Sequence, residues 1–398
     1  MGQQRDVELD VLRIAHGGVA VAELDGRVVF VGDTLPGERV LARITDDTHD
    51  SYWRAETVRV LQASQDRVRH VWRAASVDRD PEHRAGGAEF GHIAPARQRA
   101  LKRTVLRDAL RRTAHLPDAE IDALDIAVAA VPGTADGTRS RTRVRLHVDR
   151  DGRVGPYAAR SKRVVPVKDL PLAVEPLEHL LPGRARGREL DLVAAGSDVF
   201  AAGPRDKRAP IVERVGDREF RLEALGFWQV HPAAPAVLTD AVRTAIDPDR
   251  FDPDADNLDL YGGVGLLAAA LAGEADAHVT TVESDQRASG HAAANLADLP
   301  RASAVAARVD AFLADPVARP GATVVLDPPR SGAGAGIVGA IAASQPAQVI
   351  YVACDPVALA RDLGVFAEHG WGVDRIQAYD LFPNTHHLEA VARLTPRR

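Results

Sequence analysis

From about residue 255 onward, short apolar runs alternate with stretches of helical period. NLDLYGG is a strand running into a glycine turn, and LLAAALAG is a helix. HVTTVES is a second strand, followed by a helix through Ala292. ASAVAARV, ATVVLDPP and QVIYVACDP are three further strands, each ending in polar or special residues. VDRIQAYDLFP and HLEAVARL close the chain as two strands with a short connection. Strands separated by helices predict a doubly wound α/β sheet, with ligand groups gathered at the carboxyl ends of its strands. The short last connection predicts an antiparallel pair at one edge.

Four motifs carry chemistry. Asp259-Leu260-Tyr261-Gly262-Gly263-Val264-Gly265 opens into a helix, and glycines there let a ligand approach the backbone. Glu283, about 20 residues on, ends the next strand and suits the ribose hydroxyls of a nucleoside. Ala268 replaces the third glycine of the dinucleotide fingerprint, so a dinucleotide and a mononucleoside cofactor both remain open. Asp327-Pro328-Pro329-Arg330-Ser331-Gly332 follows a strand, and its prolines hold the backbone extended. An acid there suits a planar base; a rigid turn is the bland alternative. Ala353-Cys354-Asp355-Pro356 puts a thiol at a strand end, ahead of a helix start that favours a thiolate. The alternative is a small buried filler. Phe382-Pro383-Asn384-Thr385-His386-His387-Leu388-Glu389 offers a His pair without a third metal ligand, and a Glu that is either a base or a solvated carboxylate.

The N-terminal half reads differently. Residues 7–62 hold five short strands, with Asp25-Gly26 marking a tight hairpin, and predict a small closed OB-type barrel. Residues 94–114 predict an amphipathic helix. RSRTRVRLHV, residues 139–148, alternates in strand period. Val144, Leu146 and Val148 share one face, while Arg139, Arg141, Arg143 and Arg145 would form a wet, positive one.

Net charge is −6, which by itself announces no nucleic-acid binder, but the charge is unevenly spread. Residues 54–112 carry 14 Lys/Arg against seven Asp/Glu, and residues 139–163 carry nine against two. Such local basic surface attracts phosphate backbones, although a solvated arginine-rich surface has the same composition. The single cysteine excludes an intrachain disulfide and any four-cysteine metal site built from this chain alone. No stretch reads as a signal peptide or membrane span, so the expectation is a cytoplasmic protein.

Together the DLYGGVG, LDPPRSG, VACDP and FPNTHHLE segments resemble the S-adenosylmethionine-dependent RNA uracil-5-methyltransferases, in the family's order and spacing. Gly226-Phe227-Trp228-Gln229-Val230 resembles the segment preceding their catalytic domain. HGGVAVAELDGRVVFVGDTLPGERV resembles a TRAM domain, and RSRTRVRLHV with Ser161-Lys162-Arg163 resembles the central domain. The resemblance implies a TRAM-like barrel over 1–64, a central α+β RNA-binding domain over 65–215, and a Rossmann-like class I methyltransferase domain over 216–398. It implies S-adenosyl-L-methionine as cofactor and RNA as partner, 23S rRNA ahead of tRNA, acted on by a monomer. By the same resemblance Cys354 is the nucleophile and Glu389 the base. Gln229, Tyr261, Gly263, Gly265, Glu283, Asp310 and Asp327 hold the cofactor or orient the base. Arg139, Arg141, Arg143, Arg145, Lys162, Arg163 and Arg330 meet the RNA. No metal residue is expected.

The chain departs from the family pattern at several places. Ala85-Gly86-Gly87-Ala88 stands where many relatives carry a CGGC element of an iron–sulfur site, so no cluster is expected. Leu266 replaces a frequent Asn, Gly262 a frequent Cys, and His231 a usual Asn. Two other readings follow from the residues: a non-catalytic RNA-binding protein with a decayed methyltransferase domain, and a cysteine hydrolase using His386 or His387.

Overall fold

A computed structural model describes residues 5–203, 209–273, 275–314 and 317–397. The chain divides into two compact units. The first comprises Met1–Val105, Pro132–Asp206 and Phe382–His387, and the second Leu106–Val131, Lys207–Leu381 and Leu388–Arg398. The barrel expected over 1–64 and most of the central stretch expected over 65–215 fall in the first unit, while Leu106–Val131 and Phe382–His387 each belong to a different unit from their sequence neighbours.

The chain opens with strands β1 (Asp6–Ile14), β2 (Ala20–Leu24), β3 (Arg27–Gly32), β4 (Arg39–Asp46) and β5 (Tyr52–Gln62). Helices α1 (Pro95–Arg112) and α2 (Asp118–Ala123) and strand β6 (Val128–Ala129) follow. Next come β7 (Arg143–Val148), β8 (Val154–Gly155), α3 (Glu175–His179), β9 (Glu189–Ala195) and β10 (Asp198–Ala202). Strands β11 (Pro210–Val215) and β12 (Arg218–Glu223) lead to α4 (Ala234–Ala245), β13 (Asn257–Leu260) and α5 (Leu266–Ala272). Then β14 (Val279–Glu283), α6 (Gln286–Asn295), β15 (Ala302–Ala306), α7 (Val309–Phe312), β16 (Thr323–Leu326) and α8 (Ala335–Ala343) alternate. The chain ends with β17 (Gln348–Ala353), α9 (Pro356–Glu368), β18 (Trp371–Tyr379) and β19 (Glu389–Pro396).

In the first unit, β1 to β5 close a barrel in the order β1-β2-β3-β5-β4. Alternation explains it: Leu9, Val11, Ala20, Ala22, Val29 and Val31 point inward and are buried. Asp25 and Gly26 both take left-handed φ, +52° and +75°, so the two-residue hairpin follows the strand twist. A second sheet of this unit runs β10-β9-β7-β8. It shares a core with Trp72, whose Nε1 donates to Asp169 at 2.8 Å.

The second unit holds the eight-stranded sheet β15-β14-β13-β16-β17-β19-β18-β6. Strands β13 to β17 pair in parallel, and β19 runs antiparallel to both β17 and β18. The expected antiparallel pair is therefore present, but it is not the sheet's edge. Val128 and Ala129 of β6 pair in parallel with β18 and cap it. Every residue of β13, β16 and β17 is buried, which is why those strands read as continuous apolar runs. Among the described residues, no helix is long and apolar enough to cross a membrane.

Candidate active site

All the second-unit motifs converge on one end of the parallel strands. Strand β13 ends at Tyr261, whose φ of +64° starts the turn Gly262–Gly265 ahead of α5. A Cβ at Gly262 would lie 1.8 Å from Thr281 Oγ1 and 2.5 Å from Asp259 Oδ2. Glycine is thus demanded here by close approach, and the cysteine frequent in relatives would displace that pair. Thr281 Oγ1 donates to Asp259 Oδ2 at 2.9 Å, and the Ala268 amide donates to the same oxygen at 3.0 Å. Asp259 is wholly buried and its Oδ1 has no partner. Burial lifts its carboxyl to about 7. Glu283 reaches back from the end of β14, and its Oε2 accepts from the Gly263 amide at 3.1 Å. Above Gly263, whose φ is +55°, a side chain would meet only open space. Asp310, on α7, is held by Arg308 at 2.7 Å and presses on Tyr261, whose phenol rises to about 12 mainly through burial.

This turn fits a nucleoside cofactor that carries a positive charge. Glu283, Asp310 and Asp327 lie around it as acceptors for hydroxyls and a cation, and the wholly buried Asp259 keeps one oxygen without a hydrogen-bond partner. Leu266, in place of a polar residue, is buried within α5 and offers no acceptor. Gln229 lies half-buried in the turn between β12 and α4, beside buried Trp228 and exposed Phe227, and no described contact joins it to this group. His231 is also buried, and its Nδ1 accepts from the Ala233 amide at 3.1 Å, ahead of α4.

Cys354 follows β17 directly and Glu389 begins β19. These strands pair with Ala353 opposite Ala390, and Cys354 and Glu389 are the residues adjoining that pair on the two strands. Asp355 then caps α9, its Oδ1 accepting from the Val357 and Ala358 amides, both at 2.9 Å. That carboxylate takes the helix N-terminus expected to favour a thiolate. The thiol is instead pushed up to about 12 by burial and by Glu389, Asp327 and Asp355, with Arg330 opposing. Glu389 is only 3 % exposed, which overturns the solvated-carboxylate reading. Burial and Asp327 push its carboxyl well above the usual range, again against Arg330. Asp327 itself rises to about 7 through burial and Asp259. Asp327 and Arg330 thus act electrostatically on both Cys354 and Glu389.

Sequence reasoning missed the anchor behind this group. Asp362 of α9 is fully buried, and its Oδ2 accepts from Tyr351 Oη at 2.6 Å, the Ala333 amide at 2.7 Å and the Gly334 amide at 3.3 Å. Arg361 donates to the other oxygen and to the Ser331 carbonyl. The loop carrying Arg330 is thereby tied to the helix that follows Cys354. Its only sequence signal is an acid inside the apolar helix PVALARDLGVF. Asp362→Asn leaves a buried donor facing an amide, and a loss of about 3 kcal/mol in unfolding free energy is expected by chemical denaturation. Tyr351→Phe, which removes one neutral partner, should cost about 1 kcal/mol.

The predicted RNA-contacting residues of the first unit form no continuous wet face. Strand β7 begins only at Arg143, while Arg139 sits ahead of it with φ of +55° and pairs with Glu178. Arg141 is withdrawn from solvent, donates to the Gly87 carbonyl at 2.6 Å and is lowered by burial. Arg143 is half-buried, and Arg145 pairs with Asp191 at 2.8 Å. Arg163 pairs with Glu82 at 2.7 Å, and Lys162 is exposed. Local carboxylates supplied partners that strand alternation could not reveal.

The FPNTHH segment is structural within this unit. Asn384 is fully buried, with its amide donating to Gln98 Oε1 at 2.8 Å and its side chain accepting from Gln98 Nε2 at 3.0 Å. His386 meets the His387 ring at a tilt of 37°, with centroids 4.0 Å apart, and faces Glu89 at 3.8 Å. Among the described residues, no group of three or more His, Cys, Asp or Glu is placed to hold a metal ion.

Residues 320–397 match the family model described as tRNA (Uracil-5-)-methyltransferase. An "uncharacterized RNA methyltransferase" of Streptomyces avermitilis is 37% identical, with 100% of this chain and 99% of the relative covered. The 23S rRNA (uracil(1939)-C(5))-methyltransferase RlmD of Shewanella sediminis is 26% identical over 97% of this chain and 95% of its own. Among solved structures, the Pyrococcus abyssi tRNA (uracil-54, C5)-methyltransferase in complex with S-adenosyl-L-homocysteine superimposes with a TM-score of 0.70. It is 20% identical, covering 97% of this chain and 99% of that one.

Proposed function

This chain belongs to the RNA uracil-5-methyltransferase family, and from that premise we propose that it methylates carbon 5 of one uridine in 23S rRNA through a cysteine adduct. The observation that carries the reading is that Cys354 and Glu389 adjoin the Ala353–Ala390 pair at the end of the β17–β19 ladder, where Glu389, Asp327 and Arg330 all act on the thiol. Tyr261, Gly263, Gly265, Glu283, Asp310 and Asp327 would hold S-adenosyl-L-methionine, which when bound would supply a sulfonium methyl group electrophilic enough for an activated uracil and leave as the neutral thioether.

Uracil carbon 5 is a weak nucleophile until carbon 6 is attacked. Cys354 Sγ adds to carbon 6, and the ring becomes an enolate whose charge Arg330 can balance. The proton given up by the thiol has a nearby acceptor in Asp327, which titrates near neutrality. Once carbon 5 carries the methyl group, Glu389 takes the carbon 5 proton and the thiolate leaves carbon 6. The base must leave any stack to reach Sγ, so a single-stranded or extruded uridine is implied.

The barrel and the β10-β9-β7-β8 sheet are read as the RNA-binding part, a TRAM-like module and a central domain. Its cluster segment reads Ala85-Gly86-Gly87-Ala88, and with one cysteine in the chain the reaction proceeds without a four-cysteine cluster. The rRNA preference rests on the Shewanella relative. Structural likeness to the Pyrococcus enzyme favours tRNA as the second reading. Purified protein, radiolabelled cofactor and transcripts of 23S rRNA and tRNA decide between them. Mass spectrometry of nuclease digests should find 5-methyluridine in the rRNA alone. Label only in tRNA would move the target, and label on another base, or on neither RNA, would overturn the reading.

A further inference from the structure

The first unit contains a cavity of about 670 Å³ that the methyl-transfer chemistry does not use. A second cavity of about 420 Å³ shares the Gly86–Gly87 and Ala158–Ser161 walls with it. A volume of this size is that of an ordinary small-ligand site. The walls are mostly apolar, from Val144, Leu146, Pro156, Leu170 and Leu172. Tyr157, stacked on His147 with ring centroids 3.5 Å apart, adds an aromatic surface.

Two charged groups converge in this apolar enclosure. Glu89 lines both cavities, and its Oε2 lies 3.8 Å from His386 Nδ1 with no closer hydrogen-bond partner. Burial alone would raise its carboxyl, but His386 and Arg141 prevail and hold it at about 2, so it is an ionised, acceptor-only group. Arg141 lines the larger cavity, and its Nη2 donates to the Gly87 carbonyl. An ion-pair contact longer than a hydrogen bond leaves this carboxylate capacity to accept from a ligand. Lys162 and Arg160, on the rim, supply positive charge for a phosphate, although Arg160 also pairs with Glu56.

We infer that this cavity receives one guanine base of the RNA strand, with Glu89 accepting from its N1–H and 2-amino group and Arg141 donating to its O6. Guanine is the base whose pairing edge sets two adjacent donors beside a carbonyl, which matches a carboxylate beside a guanidinium. Adenine and cytosine present one amino donor on that edge, and uracil one ring N–H. Single-stranded RNA is read in this way, by an extruded base in a pocket with an aromatic wall. The inference rests on the proposed RNA substrate, but it concerns recognition and not transfer.

The test uses the full-length protein and fluorescein-labelled heptauridylates carrying one central guanosine, inosine or adenosine, read by anisotropy. Inosine lacks only the 2-amino group. Guanosine should bind about tenfold tighter than inosine or adenosine, the scale of one lost hydrogen bond to a charged group. In Glu89→Gln the three oligonucleotides should bind alike, with cofactor binding close to wild type and a lowered melting temperature that still leaves the protein folded at the assay temperature. Equal binding of the three by the wild-type protein would overturn the inference. So would a guanosine preference that survives in Glu89→Gln, or no binding of any oligonucleotide at 100 µM oligonucleotide. Displacement by equimolar GMP would assign the cavity to a free nucleotide and overturn its role in strand recognition. Uridine methylation measured in parallel separates the outcomes. A wild-type protein that methylates uridine but shows no base preference sinks only this inference, and the converse sinks only the proposed reaction.

Discussion

Cys354→Ala is expected to lower methyl transfer to RNA by at least about 10⁴-fold, the scale seen when a covalent nucleophile is removed from a site that otherwise stays assembled. The side chain is small and only half-buried, so the fold and cofactor binding should survive. Cys354→Ser should be equally inactive, because a hydroxyl in the same acidic surroundings is harder still to ionise. The site adds a pH signature. Burial and the surrounding acids push the thiol to about 12, so at neutral pH it is almost wholly protonated. The rate of adduct formation in the wild-type protein should therefore rise with pH through the neutral and mildly alkaline range. Single-turnover assays with radiolabelled cofactor check both points. Full activity in the alanine variant would refute covalent catalysis, and would favour the reading of Cys354 as buried filler.

The parallel sheet and its chemistry were legible because both are local. Strands buried on both faces write continuous apolar runs, and a doubly wound sheet gathers the residues just after those runs at one end. Tyr261, Glu283, Asp327 and Cys354 could therefore be grouped from the sequence. The environment of each group was not legible. Glu389 read as exposed, yet β19 is enclosed by β17 and β18, and no pattern within HLEAVARL announces that. The thiol read as helix-activated, yet the very next residue, Asp355, occupies the helix amides. The arginine strand failed for a related reason. Alternation predicts which side a residue takes, but not that Glu178, Asp191 and the Gly87 carbonyl meet the guanidinium groups there. Asp362 escaped notice because its partners lie 11 to 29 residues away in sequence, on a different strand and loop, and only folding brings them together.

Glu389→Gln should convert the enzyme into a trap for its own intermediate. Glutamine matches glutamate in shape and brings no charge into a position where burial and Asp327 already raise the carboxyl above the usual range. The substitution should accordingly be well tolerated by the fold. It also removes one of the negative neighbours that raise the Cys354 thiol, so addition to carbon 6 should be no slower than in the wild type. What the amide cannot do is accept the carbon 5 proton after methylation. Elimination then stalls, and the protein stays joined to RNA through Sγ. A slowly migrating protein–RNA band should accumulate on denaturing gels when cofactor and substrate RNA are both present. The double variant Cys354→Ala/Glu389→Gln should show none. Asp327→Asn is the decisive companion, because Asp327 lies in the same electrostatic group and titrates near 7. As a residue that holds cofactor or takes the thiol proton, its loss should slow formation of the adduct, not its breakdown. If Asp327→Asn gives the trapped band and Glu389→Gln does not, the base is Asp327. The position of Glu389 at the end of the β17–β19 ladder that Cys354 follows would then serve only to exclude water from the thiol.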